Sequence, residues 1–469
     1  MNVTPPTPQP EPRPQSQAAE NTAALSRSQE KKETDRREGN GSVSSAICVQ
    51  RLMLAIVLVA GCAELAYAIV NLSAMPVYVK AIGHGEQWVG AAAAAYLVAE
   101  GVLKSPFGLL GDRVGRKALI VIGPCISIFT ALLTPFVQNP YVLVMLRLVD
   151  GMGAAALWPA AFSLIGDHVP GEKRASAMSL FNLSYMLGVA LGPAIGGNVN
   201  DWASQHLGLP LIAAKSASFY AAAAFFTITT VVALTRIPHV RPIHHDPATG
   251  LEVGFDFKDF WKMLYRMPAT LAMAFVTFLG IGLIMAYTKV YAMDPAGPFH
   301  LSESAFGNYL IFPSLVIALV SVPLGTLGDR IGKAKAVRLG IGLCAGAFWG
   351  LILHPAVWTL LILGSVIGIG FVIAFPAWMA LVSGDCDPKQ RGAVVGAVGT
   401  AQGLGAILGV GASSFLYKLP ALDLGVFTIP EHGLPFLGCA LMLALSFLLA
   451  LLTVHDSTPG PSDARPAGH

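Results

Sequence analysis

Residues 108–120 read GLLGDRVGRKALI, and residues 325–337 read GTLGDRIGKAKAV. At an offset of 217, Gly108, Leu110, Gly111, Asp112, Arg113 and Gly115 match Gly325, Leu327, Gly328, Asp329, Arg330 and Gly332. The register continues without a gap through Gly151/Gly368, Gly153/Gly370, Pro159/Pro376, Arg174/Arg391, Gly188/Gly405 and Gly192/Gly409. Chance does not hold one register over that distance, so the chain contains a duplicated unit.

The surroundings of these two stretches say where the unit lives. Hydrophobic residues make up 54% of the 469 residues, charged residues 12%, and the mean hydropathy is +0.62. The apolar content falls in runs long enough to cross a bilayer as helices. This excludes a soluble enzyme, a secreted disulfide scaffold and a disordered protein. A net charge of +3 is too small for nucleic-acid binding. Cys48, Cys62, Cys125, Cys344, Cys386 and Cys439 show no metal-ligand spacing; neither a disulfide framework nor a metal site is expected.

Twelve spans are expected at roughly 52–79, 88–110, 118–138, 141–166, 175–199, 209–235, 267–292, 304–327, 336–354, 357–383, 392–417 and 433–454. They predict an all-α membrane protein of two pseudo-symmetric six-helix bundles, 51–236 and 267–455. A polar tail over 1–50, without the apolar core of a signal peptide, and a shorter tail over 456–469 flank them. Of the 30 Lys and Arg residues, 24 fall in the tails and in alternate loops beginning at 113–117, 2 fall in the opposite loops and 4 inside spans. The positive-inside rule then predicts a cell (inner) membrane protein with both termini on the cytoplasmic side. The linker 237–266 carries Phe257, Phe260, Trp261 and Leu264 on one helical face and Lys258, Lys262 and Arg266 on another. That pattern fits a helix lying on the inner leaflet or one packed on protein. His244 and His245 read as a solvated pair.

The two halves differ in charge. At the same offset Glu64, Glu100, Lys104, Arg147 and Asp150 fall opposite Ile281, Ile317, Ser321, Gly364 and Ile367. The scaffold manages without these charges in one copy, and charges in lipid face a cavity or a partner. Glu64, Tyr67 and Asn71 share a helical face, as do Tyr96, Glu100 and Lys104; Arg147 and Asp150 lie one turn apart, with Trp158 two turns on. Arg147 and Asp150 either neutralise each other or leave Asp150 as a proton carrier. Glu100 with Lys104 is either a silent ion pair or functional. Glu64, with no basic residue within a turn, is the cleaner carrier candidate, against a reading as a buried structural acid. Lys215 and Lys289 read as snorkelling residues. Asn182, Tyr185, Asn308, Phe312 and Gln402 are further cavity candidates. Phe371, Phe375 and Trp378, at i, i+4, i+7, form either an aromatic wall or a core stripe.

Gly108 to Lys117, with its copy, resembles the loop signature of the major facilitator superfamily over the roughly 400 residues between the tails. The resemblance implies a gate built from Gly108, Asp112, Arg113, Gly115, Arg116, Asp329, Arg330 and Gly332. Arg147-x-x-Asp150-Gly151-x-Gly153 is similar to that family's fourth-helix motif, with Asp150 where Gln is usual, and implies proton coupling through Arg147. Gly188, Gly192, Pro193, Gly196 and Gly197 match the fifth-helix motif of its proton-coupled antiporters, a signal for export. The implied protein is a monomeric secondary transporter in a lipid bilayer, taking small molecules and protons, without cofactor, metal or enzymatic activity. No nucleotide-binding loop of the GxxxxGK[ST] kind occurs in the sequence, so ion gradients are the expected energy source. A drug efflux antiporter is the leading expectation. A proton-linked carrier of organic anions or sugars, a transport-dead receptor and a membrane enzyme are the alternatives.

Overall fold

The computed structural model describes residues 50–238, 268–384 and 391–455, except Pro170, Ala296, Thr326, Leu424 and Val426. The readings of both tails and of the interfacial linker, with His244 and His245, lie outside these residues. The side chains of Asp112, Asn182 and Asp329 lie outside them too. The chain divides into two compact units, residues 1–54 and 55–469. In the first, residues 50–54 are helical; the second carries everything that follows.

Among the described residues, twelve long helices follow one another. They are α1 (Gln50–Ala81), α2 (Glu86–Val114), α3 (Arg116–Leu133), α4 (Pro140–His168), α5 (Gly171–His206) and α6 (Leu211–Arg236). Then come α7 (Pro268–Met285), α8 (Glu303–Gly325), α9 (Lys333–Leu353), α10 (Val357–Gly384), α11 (Arg391–Leu416) and α12 (Leu434–Thr453). Nine are long and apolar enough to cross a membrane by length and composition. The other three, α2, α5 and α11, have 29, 36 and 26 residues, more than the ~20 a span requires. Short helices Thr288–Met293 and Leu327–Ile331 extend α7 and α8. A two-residue antiparallel hairpin, β1 (Leu422–Asp423) and β2 (Thr428–Ile429), precedes α12.

The duplication is visible in matching contacts. Helix α2 packs on α4 as α8 packs on α10, and α3 on α4 and α6 as α9 on α10 and α12. Gly123 and Gly153 bring α3 and α4 so close that a Cβ on either would lie within 2.7 Å of the other's carbonyl oxygen. Gly340 and Gly370, each 217 residues on, repeat that approach. Small residues at crossings are how helices pack where lipid supplies no hydrophobic drive. Gly115 and Gly332 end the second helix of each half and turn the chain into the third, with φ of 97° and 96°. A Cβ is disfavoured there, and the turn explains the glycine. Each half also fastens its sixth helix to its third. Lys117 donates to Leu234 O at 2.8 Å, and Arg338 donates to Val454 O.

One repeat equivalence moves. Gly188 of α5 faces Gly61 O and Leu65 N of α1, whereas its copy Gly405 of α11 faces Phe275 O and Leu279 N of α7. The register between the first helices of the halves is therefore 214, not 217. The counterpart of Glu64 is Phe278 rather than Ile281. The charge asymmetry stands with a different neutral partner.

The halves meet along α5 with α8 and along α2 with α11. Gly307 of α8 faces Ala194 of α5, and Gly90 of α2, at the equivalent position, faces Ser414 of α11. Further along the second pair the helices splay, since a Cβ on Gly101, Gly399 or Gly403 would meet nothing within 4 Å. The cleft is thus closed at the end holding Gly90 and Gly307 and open at the end holding Gly115 and Gly332.

The loop glycines generate a stability prediction. Gly115→Ala or Gly332→Ala is expected to cost about 1–3 kcal/mol through the positive φ. Gly101→Ala, in an open helical position, is expected to be neutral or stabilising by up to about 1 kcal/mol. Thermal melts of the purified protein distinguish them; equal melting temperatures for all three would contradict the reading of the loop.

Candidate functional site

Helix α1 changes pitch within the cleft. Residues Ile69–Ala74 form a π-helical segment, a widening that proteins place at functional sites. Asn71 lies in this segment, and its Oδ1 accepts a hydrogen bond from the Arg147 guanidinium of α4. The same guanidinium is ion-paired with Asp150 one turn further on and lies over the Tyr96 ring of α2, 4.5 Å from its centroid. Arg147 and Asp150 are both 2% exposed. A buried guanidinium needs a partner of this kind, and the flat ring adds a cation–π contact. The pairing of Arg147 with Asp150 weighed from the sequence is therefore formed, and it ties three helices together.

Tyr67 extends the cluster. Its hydroxyl lies 3.0 Å from Ser127 Oγ of α3. Its ring packs 6.1 Å from Tyr96 and 6.3 Å from Trp158, which in turn meets Tyr185 of α5 edge-on at 5.3 Å. Tyr185 lies beside Glu64, which is 8% exposed. Among the described residues Glu64 makes no ion pair with a basic side chain. Glu100 and Lys104 pair at 2.6 Å, with the Lys104 side chain 47% exposed toward the open end. Lys104 and Arg147, the basic side chains of this wall, thus each already hold a carboxylate.

The second half presents the opposite surface. Phe371 stacks on Phe375 at 5.2 Å, and Phe375 packs 6.4 Å from Trp378. These rings wall a cavity of about 320 Å³ between α7, α8, α9, α10 and α12, and Met186 of α5 lies at its rim. Phe278, the counterpart of Glu64, is part of this wall, and so is Ile317, the counterpart of Glu100. Phe312 is half exposed on α8. Gln402 of α11 has a buried amide nitrogen with no partner among the described residues. Asn308 does not face this chamber; it accepts a hydrogen bond from Asn198 of α5 at 2.8 Å, at the closed end.

The fifth-helix glycines form two seams. Gly188, Gly192 and Gly196 lie against Leu65, Ile69 and Ser73 of α1, with virtual Cβ distances of 2.6–2.9 Å. Gly197 faces the other half, 2.4 Å by the same measure from Glu303 O of α8. Pro193 contributes its carbonyl to the contact with Gly307. At the loop signature, Arg113 and Arg330 are exposed, and Arg116 makes contacts of its own.

A charged cluster at the closed end escaped the sequence reading, which set Lys215 and Lys289 aside as snorkelling. Both pair with Glu303, and the Lys289 and Glu303 side chains are each 1% exposed. Lys289 also donates to Ser73 Oγ at 2.6 Å, and Asn200 donates to Glu303 at 3.0 Å. Ser73, Asn200 and Lys215 belong to the first half and Lys289 and Glu303 to the second, so the cluster bolts the halves together. Tyr287 adds a hydrogen bond to Glu86 O at 2.5 Å, and Ser304 N one to Asp201 at 3.1 Å. The signal was present: Glu86 and Glu303 are the same position of the repeat at offset 217.

A two-halved helical membrane protein with a cleft closed at one end, polar on one wall and apolar on the other, has the architecture of a membrane transporter. The family model described as Major Facilitator Superfamily matches residues 56–410 and 290–469, and the chain belongs to that family. The chain is 24% identical over 368 residues to Multidrug resistance protein 2 of Bacillus subtilis, covering 77% of this chain and 88% of that one. It is 30% identical over 372 residues to the gentisate transporter of Corynebacterium glutamicum, covering 75% and 77%. Among solved structures, a D-xylose-proton symporter matches 86% of this chain and 98% of its own with a TM-score of 0.68 at 14% identity. At that identity the likeness concerns the fold.

Two predictions follow from these clusters. Arg147→Ala, which strands Asp150, is expected to cost about 3–5 kcal/mol, and adding Asp150→Ala restores part of it. A melt in which the double variant is no better than the single would contradict the pairing. Glu303→Gln leaves the buried Lys289 and the part-buried Lys215 without this carboxylate and is expected to open the closed end. A cysteine at Asn198 should then react faster with an impermeant maleimide than in the Glu303 background; an equal rate would show that the cluster is not a bolt.

Proposed function

We propose that this protein is a proton-coupled secondary active transporter, an efflux antiporter for amphipathic small molecules that works by alternating access. The observation that carries the reading is the contrast across the cleft. Glu64 is a buried carboxyl with no ion pair among the described residues, and its counterpart Phe278 lines an apolar chamber. A carboxyl so placed can exchange a proton for a cationic group, because low dielectric surroundings permit only one positive partner at a time. Arg147 and Asp150 position α1 and α4 around it, and Glu100 with Lys104 borders the opening.

The open end carries the basic loops 113–117 and 330–338, so the cytoplasmic side is the open one by the positive-inside rule, with both termini inside. In this state substrate enters Glu64 and the chamber from the cytoplasm or inner leaflet. The bolt at Glu303 and Lys289 must part for release, while the loop signature closes behind. Similarity to the Bacillus subtilis Multidrug resistance protein 2 supports export. Similarity to the gentisate transporter favours the second reading, a proton-linked carrier of organic anions. Against it, Lys104 and Arg147 are already occupied by Glu100 and Asp150.

The test uses the full-length protein in proteoliposomes with an imposed pH gradient and a monovalent lipophilic cation. Wild-type protein should drive the cation against the proton gradient, and its affinity for the cation should fall as pH falls, since the proton competes. Glu64→Gln mimics the neutral acid. It is expected to reduce gradient-driven transport by more than about tenfold, as removal of an essential proton-transfer group does, and to bind with an affinity independent of pH. Retained coupling in that variant, or transport of an aromatic carboxylate in place of the cation, would overturn the reading.

A further inference from the structure

The apolar chamber of the second half continues beyond its own wall. A second cavity of about 210 Å³ lies toward the closed end, bounded by Tyr291, Phe299, Phe306, Leu351 and Gly364. Ile284 of α7, Phe348 of α9 and Ile367 of α10 line both cavities. Three side chains therefore stand between two chambers walled almost entirely by the second half.

Neither chamber suits water. Thr277 spends its hydroxyl on Met273 O at 2.8 Å and Ser446 Oγ at 2.6 Å, and Thr288 spends its own on Ile284 O at 2.7 Å. The Cys344 thiol is turned to Ile367 O at 3.2 Å. A cavity of about 150 Å³ with such a lining stays dry and takes up benzene, so these two spaces have room for considerably more hydrocarbon. Met186, which also lines the first chamber, is the chain neighbour of Tyr185, the tyrosine beside Glu64.

We infer that the second half contains a two-chamber tail site, in which the apolar chain of an amphiphile passes a neck at these three side chains while its cationic head stays at Glu64. This rests on the coupling role proposed for Glu64 and narrows the ligand class to a single cationic head on a long unbranched tail. The neck sets the selectivity. A flexible alkyl chain passes between Ile284, Phe348 and Ile367, whereas a fused ring system stops in the first chamber. Ile367 and Leu351 are then specificity-determining residues for tail length, one at the neck and one beyond it.

The experiment measures binding of an alkyltrimethylammonium series, from hexyl to hexadecyl, to the full-length protein in nanodiscs. Affinities are referred to free aqueous ligand, with empty nanodiscs subtracted. Wild-type affinity should rise about fourfold per added methylene, the value for burying one in an apolar site, until both chambers are filled. Ile367→Trp should leave the short members unchanged and end the rise at a shorter tail. Leu351→Trp should end it only for the longest tails. An unaltered length profile in both folded variants, or no rise in wild type, overturns the tail site. If Ile367→Trp loses the short members too, the profile of Leu351→Trp decides. The coupling reading fails separately: Glu64→Gln with wild-type pH dependence would remove it and leave the length profile intact.

Discussion

A charge taken out of water into hydrocarbon has to bring a partner, because an unpaired ion there costs several kcal/mol. In this protein the partners decide which helices meet. Arg147 reaches Asn71 and Asp150 and lies over Tyr96, which draws α1, α2 and α4 into one polar wall. Glu303 collects Lys215, Lys289 and Asn200, which draws the two halves together at one end. The first cluster sits within a half and organises the site. The second spans the halves and must be undone if the cleft is to open on that side.

The exception to this pairing is Glu64. Among the described residues it has no ion pair, where Asp150 and Glu303 each have one. The helix packing around it therefore does not depend on a charge pair at this carboxyl. The seam beside it is built to hold still: Gly188, Gly192 and Gly196 keep α5 in backbone contact with α1 on either side of Glu64. In the proposed alternating-access cycle, movement falls on the pairs α5 with α8 and α2 with α11, where the halves touch. The same duplicated scaffold lines its other copy with Phe278, Ile317 and Phe371, so one architecture supplies a charged wall and an apolar wall.

The spans, the duplication and the polarity difference between the halves could be read from the chain alone. Hydropathy records where a segment can sit, and a fixed offset records common ancestry of two segments; neither needs coordinates. The glycines of the loop signature were legible for a similar reason, since a positive φ at Gly115 and Gly332 is a local demand. The distribution of Lys and Arg supplied an orientation by the same logic, as translocation acts on loops one at a time.

Other features depend on distances that no offset encodes. Lys215 and Lys289 look like isolated basic residues near span ends, and only the packing of α6, α7 and α8 brings both onto Glu303. The counterpart of Glu64 shifted by three residues, close to one helical turn, because the first and seventh helices are registered by contacts with Gly188 and Gly405 rather than by sequence spacing. Asn308 shares a helix with half-exposed Phe312 yet turns to Asn198. The paired chambers arise where side chains from five helices fail to fill the space between them. Sequence determined which residues are available to lipid, water and one another; tertiary structure decided the pairings, because a buried charge or a void is a property of several helices at once.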